Sequence, residues 1–170
     1  MLDIDPVVVN ENLRILATFY PQFKKRIFIK LSGIWSCNGY KKLLSANSIK
    51  KIKFRKNVTS FGSRFHPNGT EKVKTIKIDS LNLKKITYIT MDIEGAEFQA
   101  LKGAEKTIRK HKPDMAISIY HAPRHIVDIP LWINNLKLGY KFFLRNYTSQ
   151  SIETILYCTC ALDSKFNEMT

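Results

Sequence analysis

The spacing of apolar residues changes period several times along the chain. From Ile86 to Ile93 the residues are largely apolar or β-branched, as suits a buried strand. The period then lengthens. Phe98, Leu101, Ala104 and Ile108 recur at helical spacing, while Gln99, Lys102, Lys106 and Arg109 fall largely toward water. Glu105 and Arg109 are one turn apart and can pair. Pro113 ends this helix, and Met115 to Tyr120 reads as the next strand. Ile129, Trp132, Ile133 and Leu136 share a second helical stripe. Asp128 is its candidate cap, Pro130 falls in its first turn and Gly139 stops it. Tyr140 to Tyr147 and Thr154 to Cys160 then read as strands joined by a polar turn. With no helix between them, they are expected to pair antiparallel.

The first half is less regular. Leu2 to Pro6 reads as the tail of a strand and a turn. Val9, Leu13, Leu16 and Ala17 predict a helix within 8–20, and Ile27 to Leu31 a short strand. Residues 40–58 hold two possible strands, of which SIKKIKF is the clearer, and 59–70 read as a turn-rich loop. Val73 to Ile78 alternates as a half-buried strand does. This order predicts one domain over 1–170, a three-layer α/β arrangement with a mostly parallel sheet and a C-terminal antiparallel hairpin. Right-handed crossovers put the strand-to-helix loops at one sheet edge, where ligands bind in open α/β folds. Asp3, Ser36, Asp92 and His121 all follow strand ends and are assigned to that edge.

Composition narrows the function classes. The 170 residues carry a formal charge of +14, from 28 Lys+Arg against 14 Asp+Glu. The excess is mostly lysine and is spread along the chain, densest in FKKR at 23–26 and IKKIKFRK at 49–56. That spread favours a solvated lysine-rich face over a nucleic-acid surface. No stacking platform or recognition helix stands out in the sequence. Cys37, Cys158 and Cys160 form neither a metal-ligand spacing nor a disulfide framework. No apolar run reaches the length of a membrane span and no signal peptide opens the chain, so a cytoplasmic protein without a membrane partner is expected.

Against this basic background, TMDIEGAEF at 90–98 concentrates acid between a strand and a helix. Asp92 and Glu94 have period-two spacing, which puts both on one face of a strand or around one mouth if the chain turns. Gly95 favours the turn. A carboxylate beside a hydroxyl can orient it or accept its proton, and His121 titrates in the right range to do the same. The lesser alternative is that Asp92, Glu94 and Glu97 are all capping acids at a helix start. A carboxylate-rich mouth could hold Mg²⁺ if Asp79 approached Asp92, but no metal is assigned. His66 and His111 read as surface residues.

Three stretches together, KTIKIDSL, ITYITMDIEGAEFQALKGA and KPDMAISIYH, resemble the FkbM-type S-adenosylmethionine-dependent methyltransferases. The tail YKFFLRNYTSQSIETILYC is similar to the end of many members, and LDIDP and GIWSCNG resemble two elements nearer the start. The resemblance implies a Rossmann-like class I methyltransferase sheet, S-adenosylmethionine as cofactor, and a small-molecule or saccharide hydroxyl as acceptor. It implies that Asp3 accepts hydrogen bonds from the cofactor ribose, although an ordinary turn aspartate is the alternative. Ser36 falls at the adenine amino group, with Ile34 and Trp35 either packed on the ring or part of the core. Asp92 is implied in acceptor orientation or proton removal, with Glu94 a second contact and His121 a second base. Arg124 and His125 replace acidic residues seen in many members. The family's first strand and Gly-rich loop have no counterpart before Asp3. An N-terminally truncated fragment is therefore expected, with an unpaired sheet edge and possible self-association. The alternatives are an inactive truncated domain and a basic nucleic-acid-binding module without catalysis.

Overall fold

A computed structural model describes residues 2–3, 13–15, 17–26, 28, 30–44, 64–148 and 153–160. Its strands form three sheets. β1 (Leu2–Asp3) pairs in parallel with β2 (Lys30–Leu31). A second sheet has the order β3 (Gly33–Ile34), β6 (Glu71–Ile76), β4 (Gly39–Leu44), β5 (Arg64–Phe65). A third has the order β7 (Tyr88–Met91), β8 (Asp114–Ser118), β10 (Thr154–Thr159), β9 (Lys141–Asn146).

The α/β class holds, but the expected single, mostly parallel sheet does not. β1–β2, β3–β6 and β7–β8 are parallel; β4–β5, β4–β6, β8–β10 and β9–β10 are antiparallel. The cause is connectivity. Parallel neighbours need a crossover such as the helices between β7 and β8, whereas the β4–β6 insert and the β9–β10 hairpin have none. The hairpin itself forms as expected, and β10 inserts between β8 and β9. The stretch SIKKIKF lies outside the described residues. Within the expected loop 59–70, Arg64–Phe65 is a strand.

The helix after β7 forms in two pieces, α1 (Glu97–Lys102) and α2 (Glu105–His111). They meet at Gly103, where a Cβ would collide with the Trp35 carbonyl oxygen. Close backbone approach therefore requires glycine there. Asp79, from the turn after β6, caps α2. Its carboxylate accepts from Thr107 N–H at 2.8 Å and Lys106 N–H at 3.2 Å, two of the amides a helix start leaves unpaired. This role takes Asp79 away from any cation site with Asp92. α3 (His125–Asn135) begins before Asp128, which pairs with Arg124 Nε at 3.2 Å instead of capping, and Pro130 lies inside the helix beyond its first turn.

The core lies where the helices cover β7, β8 and β10. Leu101, Ile108, Ile117, Ile129 and Ile133 are fully buried there with Met91, Met115 and Leu156. Each such side chain contributes roughly 1.5–3 kcal/mol of burial. Tyr140 O–H donates to Pro113 O at 2.7 Å, tying the start of the hairpin to the end of α2. Cys158 packs in this core and Cys37 is exposed; the described cysteines are free. Among the described residues no helix is long and apolar enough to cross a membrane.

Candidate active site

β7 and β8 are parallel, so their carboxyl ends lie on one side of the sheet. Asp92 follows β7, and Tyr120 and His121 follow β8. The adjoining turn has Glu94 at φ +55° and Gly95 at φ +93°, with Ala96 N–H returning to Ile93 O at 3.2 Å. Positive φ at both central positions is the signature of a type I′ turn. Glycine takes this conformation freely, whereas for Glu94 it is a sparsely populated state costing about 1–3 kcal/mol.

Glu97 is the organising residue, and its sequence context gave only a helix-start acid. Its side chain is 0% exposed. Oε1 accepts Ile93 N–H at 2.9 Å, Gly95 N–H at 3.3 Å and His121 Nδ1 at 2.8 Å. One buried oxygen therefore clamps the turn to the end of β8. Oε2 faces His125 Nδ1 at 3.4 Å, and neither atom has a hydrogen-bond partner among the described residues. Burial by itself would push the Glu97 carboxyl up. The bond from His121, the neighbouring His125 and the Ile93 amide outweigh burial and hold it at about 2.

His121 has a second set of neighbours. Nε2 lies 3.4 Å from Asp92 Oδ1 and 3.6 Å from Glu94 Oε2. Its side chain is 8% exposed, against 65% for Asp92 and 36% for Glu94. Burial pulls its affinity for a proton down. Glu97, and then the charges of Glu94 and Asp92, raise it above the ordinary histidine value. The imidazole ring thus stands between a buried acid and two solvent-facing ones. Asp92, Glu97 and His121 are close enough together to suggest a cation site. The ring, however, spends one nitrogen on Glu97 and turns the other to Asp92. Tyr120 packs on His121 with ring centroids 4.1 Å apart, and its hydroxyl approaches Asp92 Oδ1 at 3.5 Å. Burial and the Asp92 and Glu94 charges push that phenol up to about 12, so it remains a donor.

Asp92, Glu94 and His121 therefore meet as one cluster, joined by Glu97, Tyr120 and His125, none of which the sequence assigned a catalytic role. A lone helix-start glutamate gives no sign that histidines from β8 and α3 will enclose it. The remaining candidates are placed as follows. Asp3 ends β1 with its backbone opposite Leu31; its side chain lies outside the described residues. Ile34 lines a groove of about 660 Å³ along the edge of β7, together with Ile89, Met91 and Ile93. The Trp35 ring turns to Phe65 and Lys41. Ser36 is half-buried in the bend between β3 and β4.

A family profile described as the methyltransferase FkbM domain matches residues 29–142. The crystal structure of methyltransferase FkbM from Methylobacillus flagellatus KT is similar over 93% of this chain, with 26% sequence identity and a TM-score of 0.68. The chain spans 35% of the length of that protein. None of the curated proteins matches it. With two thirds of its residues inside the matching profile, the chain belongs to the FkbM family of S-adenosylmethionine-dependent methyltransferases.

Proposed function

We propose that this chain is a methyltransferase domain, in a Rossmann-like setting, that methylates a hydroxyl oxygen of a small molecule or sugar. The observation that carries the reading is the cluster of Asp92, Glu94 and His121 at the carboxyl ends of two parallel strands, fixed from behind by Glu97. The donor set suits S-adenosylmethionine. Ile34, Met91 and Ile93 offer an apolar wall in a groove that Arg26 and Lys85 also line, and the negative charge a sulfonium requires comes from Asp92 and Glu94 in the turn that follows β7. Asp3 would hold the ribose and Ser36 the adenine, beside Ile34 and Trp35. The cofactor supplies an electrophilic methyl group.

The protein's own task is to align the acceptor and take its proton. Asp92, the most exposed of the three, accepts the hydroxyl hydrogen bond and sets its direction. Glu97 accepts Nδ1–H of His121, which leaves the Nε2 lone pair facing the cleft. Nε2 would take the acceptor hydroxyl's proton as that oxygen is methylated. The resulting imidazolium is stabilised by Glu97, Glu94 and Asp92 together. Tyr120 donates to Asp92 and keeps its orientation. Calorimetric titration with S-adenosylmethionine tests the reading: saturable binding is expected, weakened about tenfold in Asp3→Ala by loss of a charge-assisted hydrogen bond. A folded chain that releases no heat in the millimolar range contradicts it.

A further inference from the structure

Glu97 meets two imidazoles, one on each carboxylate oxygen. Oε1 is fully engaged by His121 Nδ1 and by the amides of Ile93 and Gly95. Oε2 faces His125 Nδ1 at 3.4 Å, with the Glu97 side chain 0% and the His125 side chain 9% exposed. His125 opens α3. Its backbone N–H donates to Ala122 O at 2.9 Å, and its ring stands edge-on to Phe98 with centroids 6.4 Å apart. A phenyl ring would fill that place beside Phe98 without burying a polar nitrogen. Burying an imidazole is costly unless its nitrogen acts on a partner, and the partner it faces is Oε2.

Three carboxylates act on His121: Glu97 from α1, and Glu94 and Asp92 from the turn after β7. From α3 comes His125, whose neighbours Arg124 and Asp128 pair with each other at 3.2 Å. Tyr120 packs on the His121 ring, and the charge of Glu153 reaches Tyr120. A general base must be neutral at rest and works best when it titrates near the operating pH. Burial lowers the proton affinity of His121, and the acids more than reverse that. Glu97 is the nearest and most buried of them, so its charge counts most. A second donor on Glu97 stabilises the carboxylate by itself and weakens its hold on the proton of His121. His125 can donate from Nδ1 whether its ring is neutral or charged.

We infer that His125 is a positioning residue of the methyl-transfer cluster: its Nδ1 holds the second oxygen of Glu97 and so limits how tightly Glu97 keeps a proton on His121. The inference rests on the reading of His121 as the base. Nitrogen-15 NMR titration of the histidines tests it. In His125→Phe, its fold checked by circular dichroism, Glu97 loses this donor but stays ionised near neutrality, because it is held at about 2. The proton affinity of His121 should then rise about tenfold, the worth of one hydrogen bond to a charged group. In His125→Asn the side-chain amide can reach the same oxygen, and at least half of that rise should be reversed. A residue that only fills space gives the opposite pattern, with Phe tolerated and the His121 midpoint unmoved, and that result overturns the inference. The parent chain supplies a check that needs no variant. The His125 signals must show a hydrogen on Nδ1, and a neutral ring with its hydrogen on Nε2 overturns the inference as well. Failure of S-adenosylmethionine to bind contradicts the methyl-transfer reading instead, and calorimetry reads that separately from the His121 midpoint.

Discussion

His121 Nδ1 lies 2.8 Å from Glu97 Oε1, and that contact joins the end of β8 to the first turn of α1. The acid is fully buried, so the bond is made away from water, where an unpaired partner is costly. Replacing Glu97 by Gln keeps the shape but removes the charge that both histidines face. We expect a loss of about 3 kcal/mol in urea unfolding. A loss below about 0.5 kcal/mol would show that the carboxylate is incidental.

The same pair sets a pH dependence. Glu97 is held at about 2, below its ordinary 4.5, so its contribution is present above 4.5 and is lost as pH falls toward 2. His121 is raised above 6.5, so its contribution is full below 6.5 and is lost as pH rises through the higher folded value. These are two views of one interaction, counted once. Stability should peak between the two limits and decline on both sides. Urea midpoints measured across pH for the parent and Glu97→Gln chains check this. Curves of the same shape in both would contradict it.

Glu94 sits at φ +55° while its carboxylate is 3.6 Å from His121 Nε2. Strain and function therefore pull apart at this residue. Glu94→Gly should stabilise the fold by about 1 kcal/mol through relief of the left-handed conformation. The same change should lower the proton affinity of His121. Unfolding measurements and a histidine titration by NMR read the two effects separately.

Asp79 offers a test of the scaffold alone. Asp79→Ala removes the acceptor for two amides of α2 and should cost about 1–2 kcal/mol. Because Asp79 bonds amides of α2 and is not among the charges that raise His121, the His121 titration should be unchanged. A coupled change in both would mean that α2 and the cluster move together.

What the sequence made legible follows from how local each cause is. The strand at Tyr88–Met91, the stripe of Phe98, Leu101 and Ile108 and the closing hairpin were readable because each pattern is repeated within a few residues. The Glu105–Arg109 pair formed at 2.9 Å for the same reason. Asp128 misled because a carboxylate can cap a helix or pair within it, and Arg124 one turn away decided the matter. Asp79 as a remote cap and Glu97 as a buried hub depend on partners distant in sequence, at Thr107 and His121. No periodicity announces such contacts. The Trp35–Phe65 ring contact was hidden likewise, since the two residues meet only through the pairing of β4 with β5.

Nitrogen-15 NMR of the histidines during addition of S-adenosylmethionine tests the central claim most directly. The chain has four histidines, and His111, at the end of α2, serves as the reference. The His121 and His125 ring signals should shift in step with calorimetric saturation while His111 stays in place. If the cofactor binds and the His121 signals do not move, the acid–imidazole cluster is not where methyl transfer occurs.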